Sequence, residues 1–91
     1  MRFEWDPKKA RTNAAKHGVR FADAVGALQD EDAITVEDPH PEEERYATIG
    51  TDSLGRIVVV VYTWRGIGTV RLISARRASR TERLVYDRGK Q

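Results

Sequence analysis

Arg56-Ile57-Val58-Val59-Val60-Val61-Tyr62-Thr63-Trp64 decides the architecture of this chain. Five β-branched residues in succession, Ile57 to Val61, favour an extended backbone and suggest burial on both faces. A strand of that kind belongs in the middle of a sheet. Working outward, Asp52-Ser53-Leu54-Gly55 before it and Arg65-Gly66-Ile67-Gly68 after it read as tight connections. Beyond them, Arg45 to Thr51 and Thr69 to Arg76 read as flanking strands, so the three form an antiparallel meander.

The rest of the chain places helices on either side of this block. Ala78 to Arg88 reads as a C-terminal helix, opened by Ser79-Arg80-Thr81-Glu82. In that motif the serine oxygen meets the third amide and the glutamate reaches back, the capping box. Toward the N-terminus, Arg2-Phe3-Glu4-Trp5 alternates polar and apolar residues and predicts a short strand. Asp6 is a good N-cap with Pro7 in the first helical position, opening a helix that runs from Lys8 to His17. Gly18 ends it, and Lys16 and His17 in the last turn suit the helix dipole. Phe21, Ala24, Val25 and Leu28 fall on one face of a second helix, Phe21 to Leu28. Ala33 to Val36 is a strand, and Asp38-Pro39-His40-Pro41 is a loop. The predicted order is β-α-α-β-β-β-β-α. The predicted class is α+β, a small antiparallel sheet with two N-terminal helices and one C-terminal helix, in a single domain spanning residues 1–91.

Composition narrows the function classes. Without cysteine there are no disulfides and no thiolate metal ligands. The opening residues lack the apolar stretch of a signal peptide, and the longest apolar run, Ile57 to Tyr62, is too short for a bilayer. A cytoplasmic protein with no membrane partner is expected. The net charge of +2 conceals a segregation. Eight acids and no lysine or arginine lie between Asp30 and Glu44, whereas nine arginines and Lys90 face three acids from Arg45 onward. Such a division suits a face that binds a polyanion, although charges of this kind also pair with one another on a solvated surface.

Several residues could carry chemistry. Strict alternation along Thr69 to Arg76 sends Val70, Leu72, Ser74 and Arg76 to one side, and Arg71, Ile73, Ala75 and Arg77 to the other. Tyr62 and Trp64 share a face of the central strand, next to Arg65 in the turn. Aromatic faces beside arginines are what single-stranded RNA requires, for stacking and for phosphate. Tyrosine and tryptophan on a central strand more often belong to a core. His17 can move protons near neutral pH and Lys16 can neutralise a phosphate, while both also suit a helix C-terminus structurally. The acidic segment lacks the spacing of a calcium loop, and no helical zinc pair, Gly-x-Ser-x-Gly elbow or phosphate-cradling glycine loop is present. No metal and no cofactor is expected.

The residues also carry a family resemblance. Phe3-Glu4-Trp5-Asp6, then Lys9 and Asn13, then Lys16-His17-Gly18-Val19 with Phe21, resemble the opening of the BrnT toxin family. Glu44-Arg45, Ile49-Gly50, Gly55-Arg56 and Val61-Tyr62-Thr63 continue it, and Arg71-Leu72-Ile73-Ser74-Ala75-Arg76 with Ala78, Glu82-Arg83 and Tyr86 completes it. The words occur in order across nearly the whole chain. Trp64 departs from the pattern at a position where the family tends to be polar, and Leu28 stands where a phenylalanine is expected.

The resemblance implies a fold similar to RelE-type toxins and an RNA-cleaving activity that blocks translation. It implies a cognate antitoxin of ribbon-helix-helix type, in complexes of two toxins with two antitoxins. It carries over Lys16, His17, Glu44, Arg45, Arg65 and Arg76 as candidate catalytic residues of a metal-independent ribonuclease acting on RNA, free or on the ribosome. Arg76 and Arg65 are the expected phosphate ligands, with Arg45 in reserve. Lys16 or His17 is the expected proton carrier, and Glu44 an alternative base. Tyr62, Trp64, Arg77 and Arg83 are candidate RNA-binding residues. The competing expectation is a module that binds RNA, the ribosome or its partner without cutting.

Overall fold

The valine run is the third strand of a four-stranded meander. The structure, a computed structural model, describes residues 1–90. The elements are β1 (Arg2–Glu4), α1 (Pro7–His17), α2 (Phe21–Leu28), β2 (Ile34–Asp38), β3 (Arg45–Thr51), β4 (Ile57–Trp64), β5 (Thr69–Arg77) and α3 (Arg80–Gly89). They follow the predicted order. The sheet runs β1-β5-β4-β3-β2, with β2 to β5 antiparallel.

The outer strand corrects one expectation. β1 pairs parallel with β5, Phe3 opposite Val70, so the sheet is mixed and not wholly antiparallel. A three-residue strand carries no pattern that specifies its partner. The meander uses one edge of β5 for β4, and β1 takes the start of the other, helped by the Arg2 amide donating to the Gly68 carbonyl at 2.7 Å.

One face of the sheet carries α1 and α2. Val58, Val60 and Tyr62 from β4 and Val70, Leu72 and Ala75 from β5 meet Val19, Phe21, Ala24 and Ala27 in a single core. Each large side chain fully buried here, such as Phe21 or Leu72, contributes about 1.5–3 kcal/mol. α2 rides close on β3, because a Cβ on Gly50 would stand 2.6 Å from the Ala27 carbonyl oxygen. Only glycine admits that approach.

β5 does not alternate strictly. Val61 pairs with Ser74 but Tyr62 pairs with Leu72, which leaves Ile73 as an extra, bulged residue. Past the bulge the faces exchange. Ala75 joins Val70 and Leu72 in the core, and Arg76, opposite Val59, lies on the other face with Ser74 and Arg71. The expectation that Val70, Leu72, Ser74 and Arg76 share a side is therefore corrected, as is the grouping of Arg71 with Ala75.

α3 crosses this second face from β5 toward β2. Glu82 meets Arg76 of β5, the Tyr86 hydroxyl meets Thr51 of β3 at 3.0 Å, and Gly89 abuts Ile34 of β2. Tyr86 also donates to Asp30 after α2. Burial raises the Asp30 carboxyl pKa, but hydrogen bonds from Tyr86 and from the Thr51 and Asp32 amides outweigh it and hold the group below its ordinary value. Among the described residues no helix is long and apolar enough to cross a membrane.

Candidate nucleic-acid interface

The end of α1 is fixed from both sides. Asp6 accepts from the Lys8 amide at 2.9 Å, and Gly18, at φ +69°, donates to the Ala14 carbonyl. Both match the reading of cap and terminator. Arg56, anchored on the buried Asp52, reaches from the β3–β4 turn to the Gly18 carbonyl at 3.0 Å. Between these points Asn13 is buried against β5. Its amide nitrogen donates to the Ala75 and Val19 carbonyls at 2.8 and 2.9 Å, and its oxygen accepts from the Ala75 amide at 3.0 Å. The side chain thus substitutes for a neighbouring strand on the edge that β1 leaves unpaired.

Pinned in this way, α1 leaves an open groove of about 310 Å³ along β5. Lys8, Lys9, Lys16 and His17 line its helical wall, with Thr12 and Asn13, and Ile73 and Ser74 line its strand wall. No carboxylate lines it. Arg76 stands two residues beyond Ser74 on the same face. Its guanidinium makes a two-pronged contact with Glu82, at 2.7 and 2.9 Å. Arg77 points to the α2 side and is exposed, and Arg83 is exposed on α3.

The remaining candidates lie elsewhere. Arg65 follows the last residue of β4, six positions from Val59, the partner of Arg76, which is about 20 Å along a strand. One phosphate cannot touch both arginines. Near that end, Glu44 and Arg45 border a second pocket of about 180 Å³, together with Glu37, Asp38, His40, Glu43 and Tyr46. Arg45 is tied to Glu43 at 2.8 Å. Four carboxylates against one paired arginine make this a poor seat for a polyanion. Tyr62 is only 8 % exposed and stacks on Tyr46 with centroids 5.8 Å apart, so its ring belongs to the core and offers no face to a base. Trp64, 44 % exposed, meets the Tyr62 ring edge-on.

The structure thus brings Lys16 and His17 into one groove, places Arg76 two residues beyond its strand wall, and leaves Glu44, Arg45, Arg65, Tyr62 and Trp64 at the other end of β4. It adds Lys8 and Lys9, neither of which is among the residues expected to meet RNA. Arg71, held by Glu4 at 2.7 Å, shares the face of Arg76 but stands opposite Thr63, nearer the end that carries Arg65. A helical wheel would have put Lys8 and Lys16 on one stripe with Thr12. Nothing in the sequence signals the bulge that puts Arg71 on that face.

Residues 5–82 match the family model described as the ribonuclease toxin, BrnT, of type II toxin–antitoxin systems. The chain belongs to the BrnT toxin family. The crystal structure of the Brucella abortus ribonuclease toxin BrnT is similar to it, at 32 % identity and a TM-score of 0.66. That similarity covers 88 % of this chain and 99 % of the other. No curated protein matches. Membership accounts for a ribonuclease toxin that has an antitoxin partner, and for the BrnT-like α+β fold.

Within this family member, the Arg76–Glu82 pair joins β5 to α3. The hydrogen bonds from Arg76, aided by the Ser79 amide and hydroxyl, lower the Glu82 carboxyl from its ordinary 4.5 to about 2, against the opposing effect of burial. The charged form is therefore favoured by folding. Its contribution is complete above pH 4.5 and is lost as the pH falls toward 2. Amide exchange in the first turn of α3 should accelerate over that interval, and Glu82→Gln should abolish the dependence. Unchanged pH dependence in that variant would assign the loosening to another group.

Proposed function

We propose that this chain cuts single-stranded RNA in the groove between α1 and β5, without a metal. The observation that carries the reading is the wall of four nitrogen bases, Lys8, Lys9, Lys16 and His17, in a groove free of carboxylates. RNA brings its own nucleophile, the 2′-hydroxyl. In this reading neutral His17 takes the 2′-hydroxyl proton while O2′ bonds to phosphorus. The phosphorus–O5′ bond breaks, and the Lys16 ammonium delivers a proton to the departing O5′. Arg76 and the remaining lysines hold the phosphoryl oxygens as charge builds on them. The products are a 2′,3′-cyclic phosphate and a 5′-hydroxyl end. Arg83, exposed on α3, extends the cationic surface on which the strand lies, and Arg77, turned to the α2 side, stands apart from it.

The acidic end takes no part in this proposal, because its carboxylates repel the phosphate chain. Cleavage of messenger RNA in the cytoplasm, free or on the ribosome, would inhibit translation. A ribbon-helix-helix antitoxin, assembled two with two, would silence it.

The test is expression of the chain without its antitoxin, with mapping of new 5′-hydroxyl RNA ends, beside His17→Ala. New ends should appear with the parent chain and fall about a hundredfold in the variant. The purified chain should also cut in the presence of a chelator. Growth arrest without new ends would replace this reading with a binding module, and a fully active His17→Ala would remove His17 from the chemistry.

A further inference from the structure

The two edges of the sheet are treated differently. Beyond β1, the edge of β5 is occupied by Asn13 and covered by α1. The outer edge of β2 has no strand beside it among the described residues. In an antiparallel ladder alternate residues of such a strand turn their N–H and C=O groups away from the neighbour, ready to pair. β2 is paired with β3 at all five positions, from Ile34–Ile49 to Asp38–Arg45, with no bulge and no proline to spoil the edge. Thr35, Val36 and Glu37 are exposed, and Val36 presents an apolar side chain 58 % open to solvent.

The chemistry around this edge selects its occupant. Glu37 and Asp38 lie on the strand, and the whole stretch from Asp30 to Glu44 contains no lysine or arginine. The pocket bordered by Glu37, Asp38, Glu43 and Glu44, with Arg45 tied to Glu43, lies where the strand ends. Self-association is opposed by charge, because each β2 edge carries acids and no lysine or arginine, so two of them laid together repel. RNA is opposed by the same charges. A basic, extended polypeptide is favoured by both the backbone and the charge.

We infer that the β2 edge receives an extended basic segment of the cognate antitoxin as a sixth strand, with a lysine or arginine side chain seated among Glu37, Asp38 and Glu44. The inference rests on membership of a toxin–antitoxin family and not on the site proposed for RNA cleavage. Main-chain hydrogen bonds supply the general attraction, Val36 supplies an apolar contact, and the acids choose the partner.

The experiment is a titration of the purified chain with its purified antitoxin, beside Glu37→Lys/Asp38→Lys. The double variant should bind at least tenfold more weakly and lose part of the salt dependence of binding. Its RNA cleavage without antitoxin should equal that of the parent, which also reports that it has folded. Lys16→Ala/His17→Ala should keep the parent affinity, so failure of the cleavage reading leaves this measurement intact. Amide exchange at residues 34–38 should slow in the parent complex. Undiminished affinity in the charge-reversed variant would overturn the proposal, as would a complex that leaves residues 34–38 unprotected. Protection of residues 34–38 in the free chain, growing with its concentration, would give the edge to a second copy and overturn it equally.

Discussion

Asn13→Ala is expected to destabilise the fold by about 3 kcal/mol, the largest loss of any single polar side chain here. Asn13 satisfies three backbone groups, the Ala75 amide and the Ala75 and Val19 carbonyls, and is itself 7 % exposed. Truncation leaves those groups buried without partners, each at about 1–3 kcal/mol before water compensates. A domain of this size has only about 5–15 kcal/mol in total, so the variant should unfold at a much lower urea concentration. Asn13→Asp separates the hydrogen-bond account from a packing account. It preserves the shape but sets a carboxylate against two carbonyl oxygens, so it too should be destabilised near neutral pH and recover stability on acidification, as the acid form regains a donor. Equal unfolding midpoints for Asn13→Asp and the parent at neutral pH would refute this reading of the contact.

The second large effect concerns Arg76. Arg76→Ala should lower RNA cleavage by about a hundredfold, the usual consequence of removing one donor that stabilises transition-state charge. Its contact with Glu82 suggests a rival role, in which Arg76 merely fastens α3 to the sheet. The pair is partly exposed and the Ser79 cap persists without it, so its contribution to stability is modest. Glu82→Gln distinguishes the roles. It loosens the fastening but frees the guanidinium for phosphate, so cleavage should be retained or increased. If Glu82→Gln and Arg76→Ala lose activity alike, Arg76 is a positioning residue. Arg76→Lys should recover part of the loss through charge while lacking the two-pronged geometry. The loss should fall mainly on kcat if the contact forms in the transition state.

Much of this architecture is legible in the chain because it is written in local chemistry. Asp6-Pro7, Gly18 and Ser79-x-x-Glu82 mark helix ends through hydrogen bonds made within a few residues, and the structure contains each of them. The valine run marks the middle of the sheet through β-branching alone. Features that depend on distant partners were not legible. Three residues of β1 cannot state that they lie parallel to β5. Asn13 looks like any polar residue in a helix until Ala75, 62 positions away, is placed beside it. The candidate site was legible as a set of residue types and not as a place. Arginines at 45, 65 and 76 suggest the same chemistry in sequence, yet strand length alone sets two of them apart from the third. Tyr62 and Trp64 share a face as the alternation requires, and burial decides that Tyr62 belongs inside.

The bulge at Ile73 frees the face of Arg76 from strict counting. Without Ile73, Leu72, Ser74, Ala75 and Arg76 would still stand opposite Tyr62, Val61, Val60 and Val59, and a regular ladder would keep the arginine on its present face. A natural relative one residue shorter in this stretch therefore keeps the same surface, and its arginine is recognised by the residue it faces across the ladder and not by its distance from Arg71.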